Sequence, residues 1–162
     1  MYKKILIPLD GSILAEQALE PAMVLASKFM SEVHLVQVIT NYLVPSYGID
    51  YQVGETFRDV SLREAHAYLE NVKDRLDVYF DGDIKFKVIE GLVAENIVDY
   101  AETQQIDVIV MGTHGRSGIG RWVFGSVAER VLRAAQCPIL MIRANEKDMK
   151  LVDELEEKKI VT

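Results

Sequence analysis

Met111-Gly112-Thr113-His114-Gly115-Arg116-Ser117-Gly118-Ile119-Gly120-Arg121-Trp122-Val123-Phe124-Gly125-Ser126-Val127 is the stretch on which the fold turns. Before it stands Ile106-Asp107-Val108-Ile109-Val110, a β-branched apolar run that reads as a buried strand. After it, Val127, Ala128, Val131, Leu132 and Ala135 recur at helical spacing. The stretch is therefore a strand end, a glycine-rich loop and a helix start. Gly112, Gly115, Gly118, Gly120 and Gly125 leave the backbone open to close approach. Backbone N–H groups at a helix N-terminus, with Arg116 and Arg121 nearby, suit a phosphate. A plainer reading stands beside this one. Such connections also serve only to turn the chain, and Ser126 with Glu129 has the spacing of a capping box. The loop is longer than a turn needs, which favours a function for it.

Two familiar glycine motifs fail here. Gly115 and Gly120 have the Walker A spacing, but Arg121 and Trp122 replace its Lys and Ser/Thr. Gly118-Ile119-Gly120 begins a dinucleotide fingerprint, but Val123 stands where its third glycine belongs. That fingerprint also sits after a first strand, far from this position.

The rest of the chain alternates strand and helix. Lys3 to Leu9 reads as a strand ending at Pro8-Leu9-Asp10-Gly11, and Ser12 as the N-cap of a helix carrying Leu14, Ala18, Ala22, Leu25 and Phe29. Pro21 falls inside that helix and predicts a bend in it. Val33 to Ile39 is a second strand. From Thr40 to Thr56 the periodicity lapses into a loop with Tyr42, Tyr47 and Tyr51, whose rings either pack over the sheet edge or join a partner interface, or else form a lid or stack on a base. Leu62, Ala65, Leu69, Val72 and Leu76 mark a second helix, Ile84 to Ile89 a third strand, and Ala94, Ile97, Val98 and Ala101 a short third helix. Cys137 to Arg143 is the fifth strand. Strands separated by helices imply a parallel sheet covered on both faces. Asp10 lies at a C-terminal strand end, where such sheets bind ligands, although aspartate before Ser12 equally suits an Asx-type turn.

Composition narrows the classes of function. A chain of 162 residues with 49% hydrophobic and 27% charged residues suits one domain with a sizeable core. A net charge of -7 argues against nucleic acid as a partner. No apolar run approaches the roughly 20 residues of a membrane span, and the chain enters a strand almost at once, so a cytoplasmic location is expected. Cys137, the single cysteine, reads as a small buried residue. His34, His66 and His114 share no short metal-ligand spacing, so no protein-held metal is expected.

Gly112-x2-Gly115-x9-Gly125-Ser126, between that strand and that helix, resembles the ATP-binding signature of the universal stress protein family. Pro8-Leu9-Asp10, Val38 at the end of the second strand, and the Gly91 to Ile97 spacing match the family as well, so the resemblance runs from Lys3 to Arg143. It implies an α/β single-domain three-layer sandwich around a five-stranded parallel sheet, of the adenine nucleotide alpha hydrolase-like or Rossmann-like kind. It implies a nucleotide-binding domain over residues 1–143 and ends there; beyond it 144–162 is a charged C-terminal extension in which Met149, Val152 and Leu155 suggest an amphipathic helix, one that docks on the domain, exchanges with a partner or frays. It further implies an ATP site built from Pro8, Leu9, Asp10, Val38, Met111, Gly112, His114, Gly115, Arg116, Gly125, Ser126 and Val127. Mg²⁺ would be held through the phosphates, and a homodimer would form through the last strand, Ile139 to Ile142. The function implied is a nucleotide-dependent switch in the stress response. The alternatives are a dimeric interaction protein of the same fold without nucleotide, and a slow ATP hydrolase. Against hydrolysis, neither His114 nor Asp10 has a visible partner that would orient it toward a water.

Overall fold

The computed structural model describes residues 1–40, 51–113 and 125–143, with only the backbone of 51–56. The described residues form five strands and five helices in the order β1 (Lys4–Leu9), α1 (Ile13–Glu16), α2 (Leu19–Phe29), β2 (Glu32–Ile39), α3 (Tyr51–Asp77), β3 (Ile84–Glu90), α4 (Val93–Thr103), β4 (Val108–Gly112), α5 (Ser126–Ala134) and β5 (Ile139–Ile142). The strands form one sheet in the order β3-β2-β1-β4-β5, and every neighbouring pair is parallel. The α/β class and the five-stranded parallel sheet are those expected from the sequence.

The period of two in β1 builds three layers. Ile5, Ile7 and Leu9 face one side and pack with Ala22, Met23 and Ala26 of α2 and Leu69, Val72 and Leu76 of α3. Leu6 faces the other side, with Ile97, Val98 and Ala101 of α4 and Ala128 and Val131 of α5. A strand buried on both faces has no polar side to expose, which is why β1 reads as an unbroken apolar run.

Four boundaries differ from the sequence reading. The first helix is broken rather than bent. Ala18 N–H donates to Ala15 O to end α1, and α2 starts at Leu19, which puts Pro21 in its first turn. Proline is tolerated there because the first N–H groups of a helix have no intrahelical acceptor. α3 starts at Tyr51, so Tyr51 to Thr56 is helix rather than loop, Gly54 included. No proline interrupts 51–77, and the long packed face behind Ala65 outweighs the roughly 1 kcal/mol that one glycine costs. β4 starts at Val108 because Ile106 N–H donates to Ala101 O, while the Asp107 carboxylate accepts from the Lys3 and Lys4 N–H groups. β5 is shorter than Cys137 to Arg143, and it lies at the edge of the sheet.

Candidate functional site

The strand order reverses between β1 and β4, so the connections leaving their C-terminal ends diverge to opposite faces. That divergence opens the crevice in which doubly wound sheets take ligands. A cavity of about 540 Å³ occupies it, inside the range of small-molecule sites. Pro8, Leu9, Asp10, Val38, Met111, Gly112, Gly125, Ser126 and Val127 all line this cavity. His114, Gly115 and Arg116 lie outside the described residues.

Each wall has a local cause. After β1, Gly11 sits at φ 83, a conformation that a side chain would strain. The tight turn lets Asp10 Oδ1 accept from both Ser12 N (2.9 Å) and Ser12 Oγ (2.6 Å), while Ser12 Oγ caps α1 by accepting from Ala15 N–H. The Asx-type turn is therefore present. It also holds the Asp10 carboxylate at the rim of the cavity. Beyond β3, Gly91 at φ 137 closes the turn into α4 and donates its N–H to Ile39 O, and α4 brings Val93 and Ile97 to the wall. A Cβ at Gly91 would lie 2.6 Å from Asn96 Nδ2.

The β4–α5 connection is pinned at both ends. Thr113 N–H donates to Ile142 O, and Gly125 N–H donates to Thr113 O at 2.9 Å, so the residues that open and close the loop are joined directly. Two expectations change as a result. Gly125, not Ser126, is the N-cap of α5, and no side chain caps it, so the Ser126–Glu129 capping box does not form. Ser126 is instead the first helical residue. Gly125 also has φ -58 and ψ 150, a conformation open to any residue, so it is not there for a left-handed backbone. Its own N–H is engaged with Thr113. Ser126, Val127 and Ala128 line the cavity, and as the first three residues of α5 their N–H groups have no intrahelical acceptor.

Charge gives the cavity a direction. Its charged lining residues among those described are Asp10 and Glu64, both acidic, on the β1 and α3 walls. An anionic group is repelled from that end and favoured at the α5 N-terminus by the helix dipole. Among the described residues no group of three His, Cys, Asp or Glu could hold a metal. A magnesium ion that accompanied a polyphosphate would take its ligands from phosphate and water.

Several lining residues were missed in the sequence: Gln37 on β2, Ser61, Glu64 and Tyr68 on α3, and Thr113. The Tyr68 hydroxyl donates to Glu16 Oε1 at 3.0 Å, and burial, with Glu16 beside it, pushes its pKa well above the ordinary value. Gln37 is 6% exposed, and its Oε1 has no hydrogen-bond partner among the described residues. A glutamine inside Val33-His34-Leu35-Val36-Gln37-Val38-Ile39 was the available signal, since a polar side chain in a doubly buried strand needs a reason.

A doubly wound parallel sheet with its crevice at the β1/β4 reversal defines the structural class. The profile of the Universal stress protein family matches residues 1–143, and the chain belongs to that family. It is 35% identical over 149 residues to universal stress protein MJ0531 of Methanocaldococcus jannaschii, covering 91% of this chain and 86% of the relative. It is 32% identical over 160 residues to universal stress protein MJ0577 of the same organism, covering 88% and 96%. The solved structure of MJ0577, described as a structure-based assignment of biochemical function, superposes with a TM-score of 0.81 at 30% identity over 90% of this chain and 99% of that one. A universal stress protein described in complex with cAMP shares the fold at a TM-score of 0.64 and 21% identity, covering 89% and 98%.

Proposed function

We propose that this universal stress protein is a nucleotide-binding regulatory domain that takes ATP in the cavity at the C-terminal strand ends. One observation carries the reading: a single cavity joins the acidic, partly apolar β1–β2 end to the three N–H groups at the start of α5. That polarity matches a nucleoside joined to phosphates. Asp10, Pro8, Leu9 and Val38 would border the nucleoside, with Met111 and Gly112 beneath it. Ser126 and Val127, behind Gly125, would meet the phosphates, with His114, Gly115 and Arg116 contributing from the loop. Mg²⁺ would enter with the phosphates and add charge compensation there.

The protein would act as a cytoplasmic switch rather than as a fast enzyme. A second copy would pair through β5, an edge strand whose Leu140 is 41% exposed. Freshly purified protein, denatured and analysed for small molecules, should release an adenine nucleotide. Refilled with ATP and magnesium, it should leave the nucleotide intact on the time scale of its release. A protein that carries no nucleotide and binds none in equilibrium dialysis would overturn this reading in favour of a nucleotide-free interaction protein. Rapid multiple turnovers would move it to the hydrolase class. Sedimentation of the wild-type chain as a monomer at micromolar concentration would remove the dimer.

A further inference from the structure

We propose that the Gln37 side-chain amide reads the exocyclic amine of the base, which makes Gln37 a specificity determinant of the cavity for adenine. The inference rests on the nucleotide reading above and adds a residue and a recognised group to it.

Gln37 lines the cavity, is 6% exposed, and has an Oε1 that is buried without a partner among the described residues. Buried carbonyl oxygens nearly always accept a hydrogen bond, from protein, ordered water or ligand. The neighbouring polar groups on this wall are engaged elsewhere. The Tyr68 hydroxyl donates to Glu16, and the Ser12 hydroxyl donates to Asp10. Leu9, its register partner on β1, lines the same cavity, with Ala15 and Ala65. Among the described residues no donor reaches Gln37 Oε1, and a molecule bound in the cavity is placed to supply one.

Position selects the donor. β2 lies two strands from β4, with β1 between them, which is roughly 10 Å at the usual strand spacing. The α5 N-terminus, where phosphate is favoured, stands at the far side of that span. A mononucleotide anchored there reaches β2 with its base. Adenine offers an N–H donor on its exocyclic amine, and a carbonyl oxygen is its complement. A site built to hydrogen-bond a group discriminates against the analogue that lacks it, because its own polar atom is then left bare.

The test compares equilibrium binding of ATP, purine riboside triphosphate (which lacks the amine) and 2′-deoxy-ATP to wild type and to Gln37→Leu, with Gln37→Met as a second variant of similar shape. Wild type should bind ATP about tenfold more tightly than the purine analogue, the worth of one hydrogen bond. Gln37→Leu should lose about tenfold for ATP, nothing for the analogue, and so bind the two alike. Its ligand-free thermal midpoint should equal or exceed that of wild type, a readout that a structural role for the amide would reverse. A variant that keeps the wild-type preference for ATP overturns the assignment, as does an equal loss for both triphosphates. If the loss is abolished for 2′-deoxy-ATP instead, the amide faces the sugar and the base assignment falls. Wild-type protein that binds none of the three removes the nucleotide reading itself, a failure distinct from the others.

Discussion

Two polar residues of β2, His34 and Gln37, stand three positions apart and are almost equally buried, at 1% and 6% exposure. They face opposite layers and opposite fates. His34 lies toward the N-terminal end of the strand, where Nδ1 is 2.9 Å from the Tyr100 hydroxyl and Nε2 is 2.5 Å from Glu32 Oε1. A carboxylate only accepts, so Nε2 carries the proton and Nδ1 accepts from Tyr100. Glu32 is held in turn by Lys85 at 2.8 Å. Gln37, at the C-terminal end, lines the cavity with a carbonyl oxygen that has no partner among the described residues. Burial by itself does not distinguish structure from function. Satisfaction of the buried group does. Where the fold supplies every partner, the polar residue belongs to the architecture, and where it withholds one, the residue is aimed at something else.

The sharpest way to break this comparison is at the cavity end. Gly125 needs no special φ, so Gly125→Val should fold with a thermal midpoint near that of wild type and still obstruct the approach to α5. ATP affinity should fall by about a hundredfold or more, equivalent to two charge-assisted hydrogen bonds. Ser126→Ala should lose about tenfold to a hundredfold for ATP and much less for adenosine. Because Ser126 is not the cap, its stability should stay within about 0.5 kcal/mol of wild type. Calorimetric titration and thermal unfolding of the same samples check both. Undiminished ATP binding by folded Gly125→Val would reduce this end of the cavity to a turn.

At the other end the effect should appear in stability alone. His34→Leu strips the Tyr100 hydroxyl of its acceptor and removes one partner of Glu32, and should cost about 1–3 kcal/mol in denaturant unfolding while ATP affinity holds. A loss of nucleotide binding in that variant would show the two ends to be coupled.

Titration sharpens the same contrast. Desolvation holds the His34 pKa below its ordinary value of 6.5, against the upward pull of Glu32. The unfolded chain therefore binds the proton first, and the stability contributed by neutral His34 is complete above about 6.5 and is lost as pH falls through the lower folded value. The hydrogen bond from Lys85 holds Glu32 below its ordinary 4.5, which adds a second loss further down. Unfolding free energy should decline from pH 7 toward pH 5, and His34→Leu should flatten the upper part of that decline. An unchanged slope would mean that the ring is not the group titrating. The smallest effect belongs to ligand-free Gln37→Leu, expected to be neutral or stabilising by up to about 1 kcal/mol. Set beside His34→Leu, it would give opposite signs for two buried polar residues on one strand.

The amino-acid sequence by itself determined the alternation of strand and helix, because doubly buried strands and amphipathic helices leave their periods in the chain. It also placed Asp10, Val38 and the Gly112–Val127 stretch at the ends of strands, since turns are marked by glycine, proline and aspartate. Only the tertiary structure decided the rest. The order β3-β2-β1-β4-β5 arises from how crossovers pack, and it alone brings Asp10 to the same crevice as Ser126, 116 positions later. Hydrogen bonds between distant residues moved the boundaries: Asp107 with Lys3 and Lys4 set back β4, and Gly125 with Thr113 took the capping role from Ser126. A local pattern records propensity, and it is blind to partners a hundred residues away. For the same reason His34 and Gln37 look alike on paper, two polar letters in one apolar strand. Only the fold shows which of them it has already satisfied.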